Sequence, residues 1–344
     1  MASKPPPSIT IKHVARRAGV SVATVSRVLN QSTVVRPETR ERVRDVVAQL
    51  GYTPHGAARS LITNRTMTVG VLLPDLYGEF FSEVIRGIDQ VARRQGYHLL
   101  VANAGGGKSA LEAGLHSMWG RVDGLIVMSP EMSQRASHQT LPEHFPMVLV
   151  NCPPSDLDCA SLAMANYEGA GAMTTHLLGL GHRRIAVICG PDANFDARER
   201  LRGYRDALKR AGLVPDPTLE FAGDFRETSG YQAATQILAL TARPTAVFAT
   251  NDGMALGALF AFREAGLRIP GDLALGGFDD IPMARYVEPA LTSVHVDISA
   301  LGQRAAVKLF QALHRPADRE TSRETLPTTL MVRKSCGSQV GTVA

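Results

Sequence analysis

The chain has 344 residues, of which 44% are hydrophobic, 6% aromatic and 20% charged, which excludes disordered and collagen-like classes and allows two or three domains with sizeable cores. The net charge of +5 hides an asymmetry: residues 1–64 hold ten Lys/Arg against three Asp/Glu, a balance of +7, leaving −2 for the other 280 residues. A small basic head on a near-neutral body points to a polyanion as partner of the head alone.

Residues 1–8, with Pro5, Pro6 and Pro7, read as an extended tail. Ile11, Val14, Ala15 and Ala18 then fall on one face of a helix with Thr10 as N-cap. Gly19 permits a tight backbone, Ser21 can cap a second helix, and Val25, Val28 and Leu29 give that helix its apolar side. The pattern is helix, tight turn, helix. Lys12, Arg16, Arg17 and Arg27 lie on the other faces beside Thr24 and Ser26, a mixture suited to phosphates and base edges. A plain helical hairpin with a solvated basic face is the alternative. Pro37 opens a third helix with Val43, Val46, Val47 and Leu50 along it, and Gly51 ends it. Tyr52-Thr53-Pro54 begins a connector, HGAARSLITNRT, too short to be a stable isolated helix in water. It is either a flexible linker or a segment that orders when two copies meet on DNA.

From Thr68 onward short apolar strands alternate with helices, the pattern of a parallel doubly wound sheet. The spacing predicts strands at 69–73, 98–101, 125–128 and 147–150, with helices at 79–94 and 109–119. The set then recurs, with strands at 184–189, 219–222, 246–249 and 273–278 and helices at 198–211, 228–240 and 253–265. Two similar lobes in series should face each other across a cleft, with a ligand outside the carboxyl ends of the strands. The loops there offer Asp75 to Phe81, Ser129 and Asn151 in the first lobe. The second offers Asn194, Asp196, Arg198, Arg200, Phe225, Asn251, Asp252, Asp279 and Asp280. Carboxylates, amides, an arginine and rings converging on one cleft suit a hydroxylated ligand. Each residue also has a plainer reading, since Asp and Asn after strands often cap the next helix and Phe80 or Phe81 can be core.

The order of head, connector and two lobes, with TIKHVARRAGVSVATVSRVLN, ETRERVRDVVAQLGYTPHGAARSL, VDGLIV, GHRRIAVICGP, RERLRGY, RPTAVFATNDGMALGAL, GFDDIP and PALTSVHVD, resembles the LacI-type family of bacterial transcription repressors from about Thr10 to Lys334. The resemblance implies an α/β protein with a three-helix helix-turn-helix head (1–52), a hinge helix and linker (53–67), and two doubly wound lobes of periplasmic-binding-protein-like type (68–334), followed by a flexible tail (335–344). Lobe 1 would be 68–162 plus 294–318 and lobe 2 163–293 plus 319–334. On this resemblance Val22, Ala23 and Arg27 read base edges, Thr10, Ser21, Thr24 and Ser26 hold phosphates, and Asn30 and Tyr52 join the DNA contacts. Leu61 would enter the minor groove at the centre of a two-fold operator, with Ala58 and Arg59 beside it.

For the effector, the resemblance implies Phe80, Phe81, Ser129, Asn151, Asn194, Asp196, Arg200, Phe225, Asn251 and Asp279. The chain departs from the family pattern at His13, where an acidic residue often completes the capping box and whose presence should weaken that cap. It departs again at Met164-Ala165-Asn166, where a ligand contact is in doubt. The expected protein is a homodimeric repressor of a carbohydrate operon, bound to double-stranded operator DNA and released by a sugar or sugar derivative. A co-repressor such as a purine stacked on Phe225, or a sugar phosphate paired to Arg200, stays open.

Other classes fit less well. Gly105-Gly106-Gly107-Lys108-Ser109 resembles a phosphate loop, but Ala102 stands where the Walker pattern needs glycine, and the family reading makes this a surface loop. No GxSxG or HExxH occurs, so no enzyme activity and no cofactor is expected. Cys152, Cys159, Cys189 and Cys336 form neither CxxC nor a zinc-type spacing, which suggests reduced thiols and no metal. MASKPPPSIT has no signal-peptide apolar region and no apolar run approaches about 18 residues, so the expected place is the cytoplasm, with no membrane partner. A solute-binding protein would share the lobes but not the basic head. The tail GSQVGTVA has no heptad leucines, which favours a dimer over a tetramer.

Overall fold

The computed structural model describes residues 9–29, 34–52, 65–105, 107–129, 140–142, 144–153, 157–315, 321 and 323–337. The chain divides into two compact units, Met1–Thr66 and Met67–Ala344.

In the first unit α1 (Ile11–Ala18), α2 (Val22–Leu29) and α3 (Pro37–Leu50) each contribute to one core, with Val14, Val25 and Val43 fully buried. Gly19 closes α1 at φ 63. Its N–H reaches Arg16 O at 3.3 Å and that of Val20 reaches Ala15 O at 3.0 Å, the paired bonds of a left-handed helix ending. Ser21 Oγ accepts from Thr24 N–H at 3.1 Å, so the second helix starts where its cap predicts. The weak cap expected at His13 is corrected: Thr10 N–H donates to His13 Nδ1 at 3.2 Å. The reciprocal half of a capping box needs an acceptor, and an imidazole nitrogen supplies one as a carboxylate would.

The second unit holds two six-stranded sheets. The first contains β1 (Thr68–Leu73), β2 (His98–Asn103), β3 (Gly124–Val127), β4 (Met147–Val150), β5 (Ala160–Met164) and β11 (Arg323–Leu326), in the order β11-β5-β4-β3-β1-β2. The second contains β6 (Ile185–Ile188), β7 (Glu220–Phe221), β8 (Ala246–Ala249), β9 (Ala274–Asp279), β10 (Thr292–His295) and β12 (Thr329–Met331), in the order β12-β10-β9-β8-β6-β7. All pairings are parallel except β10 with β12. Central strands such as Val247, Phe248 and Ala249 are wholly buried, as apolar runs covered on both faces should be. Helix Ile298–His314 packs on Glu79–Arg94, Asn166–Gly179 on Phe195–Arg210, and Glu227–Leu238 on Asp252–Glu264.

Three assignments change. The strand Arg323–Leu326, expected in lobe 2, pairs with β5 in the first sheet, and Val294 and His295, expected in lobe 1, belong to β10 of the second. The tail begins later than 335: Ser335 and Cys336 are buried, with Ser335 Oγ donating to Leu275 O at 2.6 Å. The chain passes between the sheets three times, after β5, after β10 and between β11 and β12. Two of these crossings are tied together, Ala165 N–H donating to Leu326 O at 3.0 Å and Thr328 Oγ1 to Ala165 O at 3.4 Å.

Candidate effector site and nucleic-acid interface

In the first unit, Val25 and Val28 turn α2 toward the core, and the opposite face leaves Val22, Ala23 and Arg27 exposed. This is the arrangement a recognition helix needs, with apolar contacts near its start and a guanidinium one turn on. Thr10 and Ser21 are exposed, Thr24 and Ser26 half-buried, and the Ser21 and Thr24 hydroxyls bond each other at 2.9 Å. Tyr52 packs against the head's core and its N–H bonds Val47 O at 3.0 Å, a structural role beside any contact with DNA. Asn30, Ala58, Arg59 and Leu61 lie outside the described residues, as do 1–8 and 338–344.

In the second unit the carboxyl ends of both sheets face a cavity of about 350 Å3. Phe80, Phe81, Ser129, Asn151, Asn194, Asp196, Arg200, Phe225, Asn251 and Asp279 all line it. β1/β3 and β6/β8 are the pairs at which each strand order reverses, and the loops after them, with the first turns of the helices that follow, carry seven of these ten residues.

Arg200 is the fixed centre. Its Nε donates to Asn166 Oδ1 at 2.8 Å, Nη1 to Thr250 O at 2.5 Å, and Nη2 lies 3.2 Å from Asp279 Oδ1. Its guanidinium also stacks 3.7 Å from the centre of the Phe278 ring. Asn166 therefore positions the arginine, a role the sequence left in doubt at the lobe crossing. The arginine is committed on all sides, which argues against the sugar-phosphate partner considered for it.

The remaining polar groups are mostly acceptors. Asn151 Oδ1 is buried without a hydrogen-bond donor among the described residues, while Asp279 Oδ1 meets the Arg200 guanidinium at 3.2 Å. Asn194 and Asn251 each cap a helix through Oδ1, accepting from Ala197 and Met254 at 3.0 and 2.9 Å, and Asn251 Nδ2 donates to Phe225 O at 2.8 Å. The capping reading thus holds for both asparagines, and both also line the cavity. Asn151, Phe225 and Asp279 have positive φ values of 49°, 72° and 102°. Three strained backbones on one cavity are the pattern of a site held for a ligand.

Burial pushes the Asp279 carboxyl up to about 6 against the pull of Arg200. Asp196 is likewise pushed up to about 6, first by burial, with Arg200 lowering and Asp279 raising it. Asp252 is raised well above its ordinary range by burial and then by Asp279, but it serves the fold, holding Ser293 Oγ at 2.6 Å and Ile281 N–H at 2.9 Å. Asp280 does the same through Arg333, 2.6 Å away. Arg198 turns away to donate to Asp192 O at 2.8 Å.

Among the described residues the cavity wall carries six carboxylates against two arginines, a field that repels anions. Phe80 and Phe81 meet edge to face at 5.4 Å between centroids. Gly105, expected on a surface loop, lines the cavity, because Asn103 Oδ1 holds its N–H at 2.7 Å and folds the loop inward. Sequence reasoning named neither Arg226 nor Glu227 on the wall. They follow β7, a strand of two residues too short to mark its own end.

Comparison with known proteins agrees with this layout. Residues 10–55 match the model of bacterial regulatory proteins of the lacI family, and residues 174–336 that of the periplasmic binding protein-like domain. The ribose operon repressor of Escherichia coli (strain K12) is 38% identical over 330 residues, covering 95% of this chain and 99% of the relative. The transcriptional repressor PurR of Pasteurella multocida (strain Pm70) is 35% identical over 337 residues, covering 96% and 99%. A lac repressor dimer bound to operator and the anti-inducer ONPF superposes with a TM-score of 0.85 at 31% identity, covering 96% and 99%. With head, lobes and full-length relatives in agreement, the chain belongs to the LacI family of bacterial regulatory proteins.

Proposed function

We propose that this protein is a sequence-specific transcription repressor that binds a two-fold operator as a homodimer and leaves it when a small neutral sugar occupies the cleft. The observation that carries the reading is the buried acceptor Asn151 Oδ1, which lacks a donor among the described residues, in a cavity of about 350 Å3 whose wall also carries the Asp196 and Asp279 carboxylates. A polyol supplies donors to such groups and apolar ring faces to Phe80, Phe81 and Phe225. The ten wall residues named from the sequence are its proposed contacts, and the relatives' repressor activity supports a cytoplasmic regulator of a carbohydrate operon. Tyr231 and Phe260, with ring centroids 6.1 Å apart, are exposed on lobe 2, a pair of rings suited to a second copy. Operator binding and ligand binding are then reciprocal, each weakening the other through the lobe angle. A purine co-repressor stacked on Phe225 is the second reading, favoured by the likeness to PurR.

The test is selection of bound duplexes from a random DNA pool at near-physiological salt, where non-specific electrostatic binding is suppressed. The enriched duplex is then titrated with free monosaccharides and purines. One palindrome, released by a monosaccharide, is the expected result. Strengthening by a purine would reverse the sign, and absence of any enriched sequence would remove the repressor reading.

A further inference from the structure

We infer that Gly190 is a positioning residue, the seat of the Phe225 ring: with no side chain there, the ring lies back against the end of β6 and its other face is left as the flat wall on which a ligand stacks. The inference rests on the reading above in taking the cleft as the ligand site, and it holds for a sugar or a purine alike.

β6 and β7 are neighbours, Val187 and Ile188 pairing with Glu220 and Phe221, and Cys189 N–H donates to Phe221 O at 2.7 Å. The residues leaving the two strands therefore run side by side. A Cβ on Gly190 would lie 2.3, 2.5 and 2.9 Å from Cζ, Cε1 and Cε2 of Phe225. Three such similar distances put the seat under the face of the ring tip and not beyond its edge. Gly190 itself is buried, and Phe225 and Pro191 make the cavity wall there.

The backbone fixes the ring from its other end. Phe225 has φ 72°, and its carbonyl accepts from Asn251 Nδ2 at 2.8 Å. On its flanks Asp224 Oδ1 accepts from Arg226 N–H at 2.9 Å, and Ser229 Oγ accepts from Asp224 N–H at 3.0 Å and donates to Arg226 O at 2.9 Å. The next two side chains reach across the cleft, Arg226 Nη2 lying 2.6 Å from Asp75 Oδ2 and Glu227 Oε2 accepting from Tyr77 Oη at 3.2 Å. A strained residue held on both sides gives the ligand a ring already in place. Gly190 does not have a positive φ, so what it supplies is room. Carbon atoms pack at about 3.5–4.0 Å, so any side chain at 190 drives the ring off by roughly 1 Å or more, toward the space the ligand needs.

Gly190→Ala, Phe225→Leu and the double variant of the full-length protein test this. Without ligand, the Gly190 α-proton that a side chain would replace points into the ring face. Its resonance should stand upfield of the ordinary glycine range in the parent and return in Phe225→Leu; an unshifted resonance would overturn the seat. The ligand probes are the free pentoses and hexoses and the free purine bases, followed by calorimetry. Gly190→Ala should weaken whichever probe binds the parent at least tenfold, and the double variant should bind no more weakly than Phe225→Leu alone, because a leucine has no ring tip over the seat. Additive losses would overturn the inference. If Gly190→Ala does not fold, Phe225→Leu should restore it, and failure of both variants to fold would mean that the glycine serves something other than the ring. If no probe binds while operator binding is intact, the ligand reading falls and the proton shift alone decides the seat.

Discussion

Arg200 Nη2 stands 3.2 Å from Asp279 Oδ1, with the two side chains only 4% and 6% accessible. The floor of the cleft is thus a buried ion pair braced by Asn166 and the Thr250 carbonyl, and the arginine is a pillar more than a free cation. Removing one partner leaves the other charge buried and alone. Arg200→Met should destabilise the lobes by about 3–5 kcal/mol in denaturant titrations. Arg200→Lys should recover little, because an ammonium lacks the fork that reaches three partners at once. Arg200→Met combined with Asp279→Asn should regain stability without regaining ligand affinity. Additive losses in the double variant would contradict the pairing.

Acidity gives a second prediction. Asp196 and Asp279 titrate at about 6 in the folded protein, above the about 3.9 of an unfolded chain. Between those values the folded state holds protons that the unfolded chain has released. The favourable contribution is complete below about pH 4 and is lost as pH rises through about 6. Melting temperatures of Asp196→Asn should exceed those of the parent at about pH 8 and converge with them near pH 4. Sugar affinity should run the other way, weakening as pH falls through about 6, since a protonated carboxyl is a poorer acceptor. A flat pH profile for both quantities would remove these carboxylates from the site.

Charge on the ligand gives a third. With six carboxylates against two arginines among the described residues of the wall, and Arg200 and Arg226 each already paired, a phosphate meets no free cation among them. The phosphate ester of any sugar that binds should bind at least ~100-fold more weakly than the free sugar in calorimetric titration, a like-charge penalty of several kcal/mol. Equal binding would mean that the wall rearranges around an anion.

For the head, Arg27→Ala should cost about 1–3 kcal/mol of operator binding and relax selectivity at one base pair of each half-site. Lys12→Ala should weaken all sequences alike and shrink the salt dependence. Competition assays against single-base operator variants separate the two outcomes.

Much of this was legible in the residues. The head was readable because each helix has one apolar stripe and ends at a recognisable cap, Gly19 and Ser21 among them. The strands β1, β4 and β8 were readable because strands buried on both faces are unbroken apolar runs. Helix Asn166–Gly179 gave no such sign: it is buried on several sides and so lacks a stripe. Its Gly169 is fixed by tertiary contact, since an added Cβ would lie 2.9 Å from Phe278 and Val294. The cavity residues followed from one rule, that ligands gather after the strands. Arg226, Glu227 and Asn166 did not, because their roles come from what lies across the cleft or beneath Arg200, and no local pattern encodes that.

The three crossings between the sheets have a consequence for what this protein measures. Two plates joined along one edge at three points keep essentially one freedom, the angle between them. Everything the ligand does must be expressed in that angle, and everything transmitted from the lobes must be read from it. A sugar with high affinity but no preference for a particular angle would fill the cleft and change nothing. Such a ligand would be a silent competitor, and its existence is a property of the joint, not of the pocket.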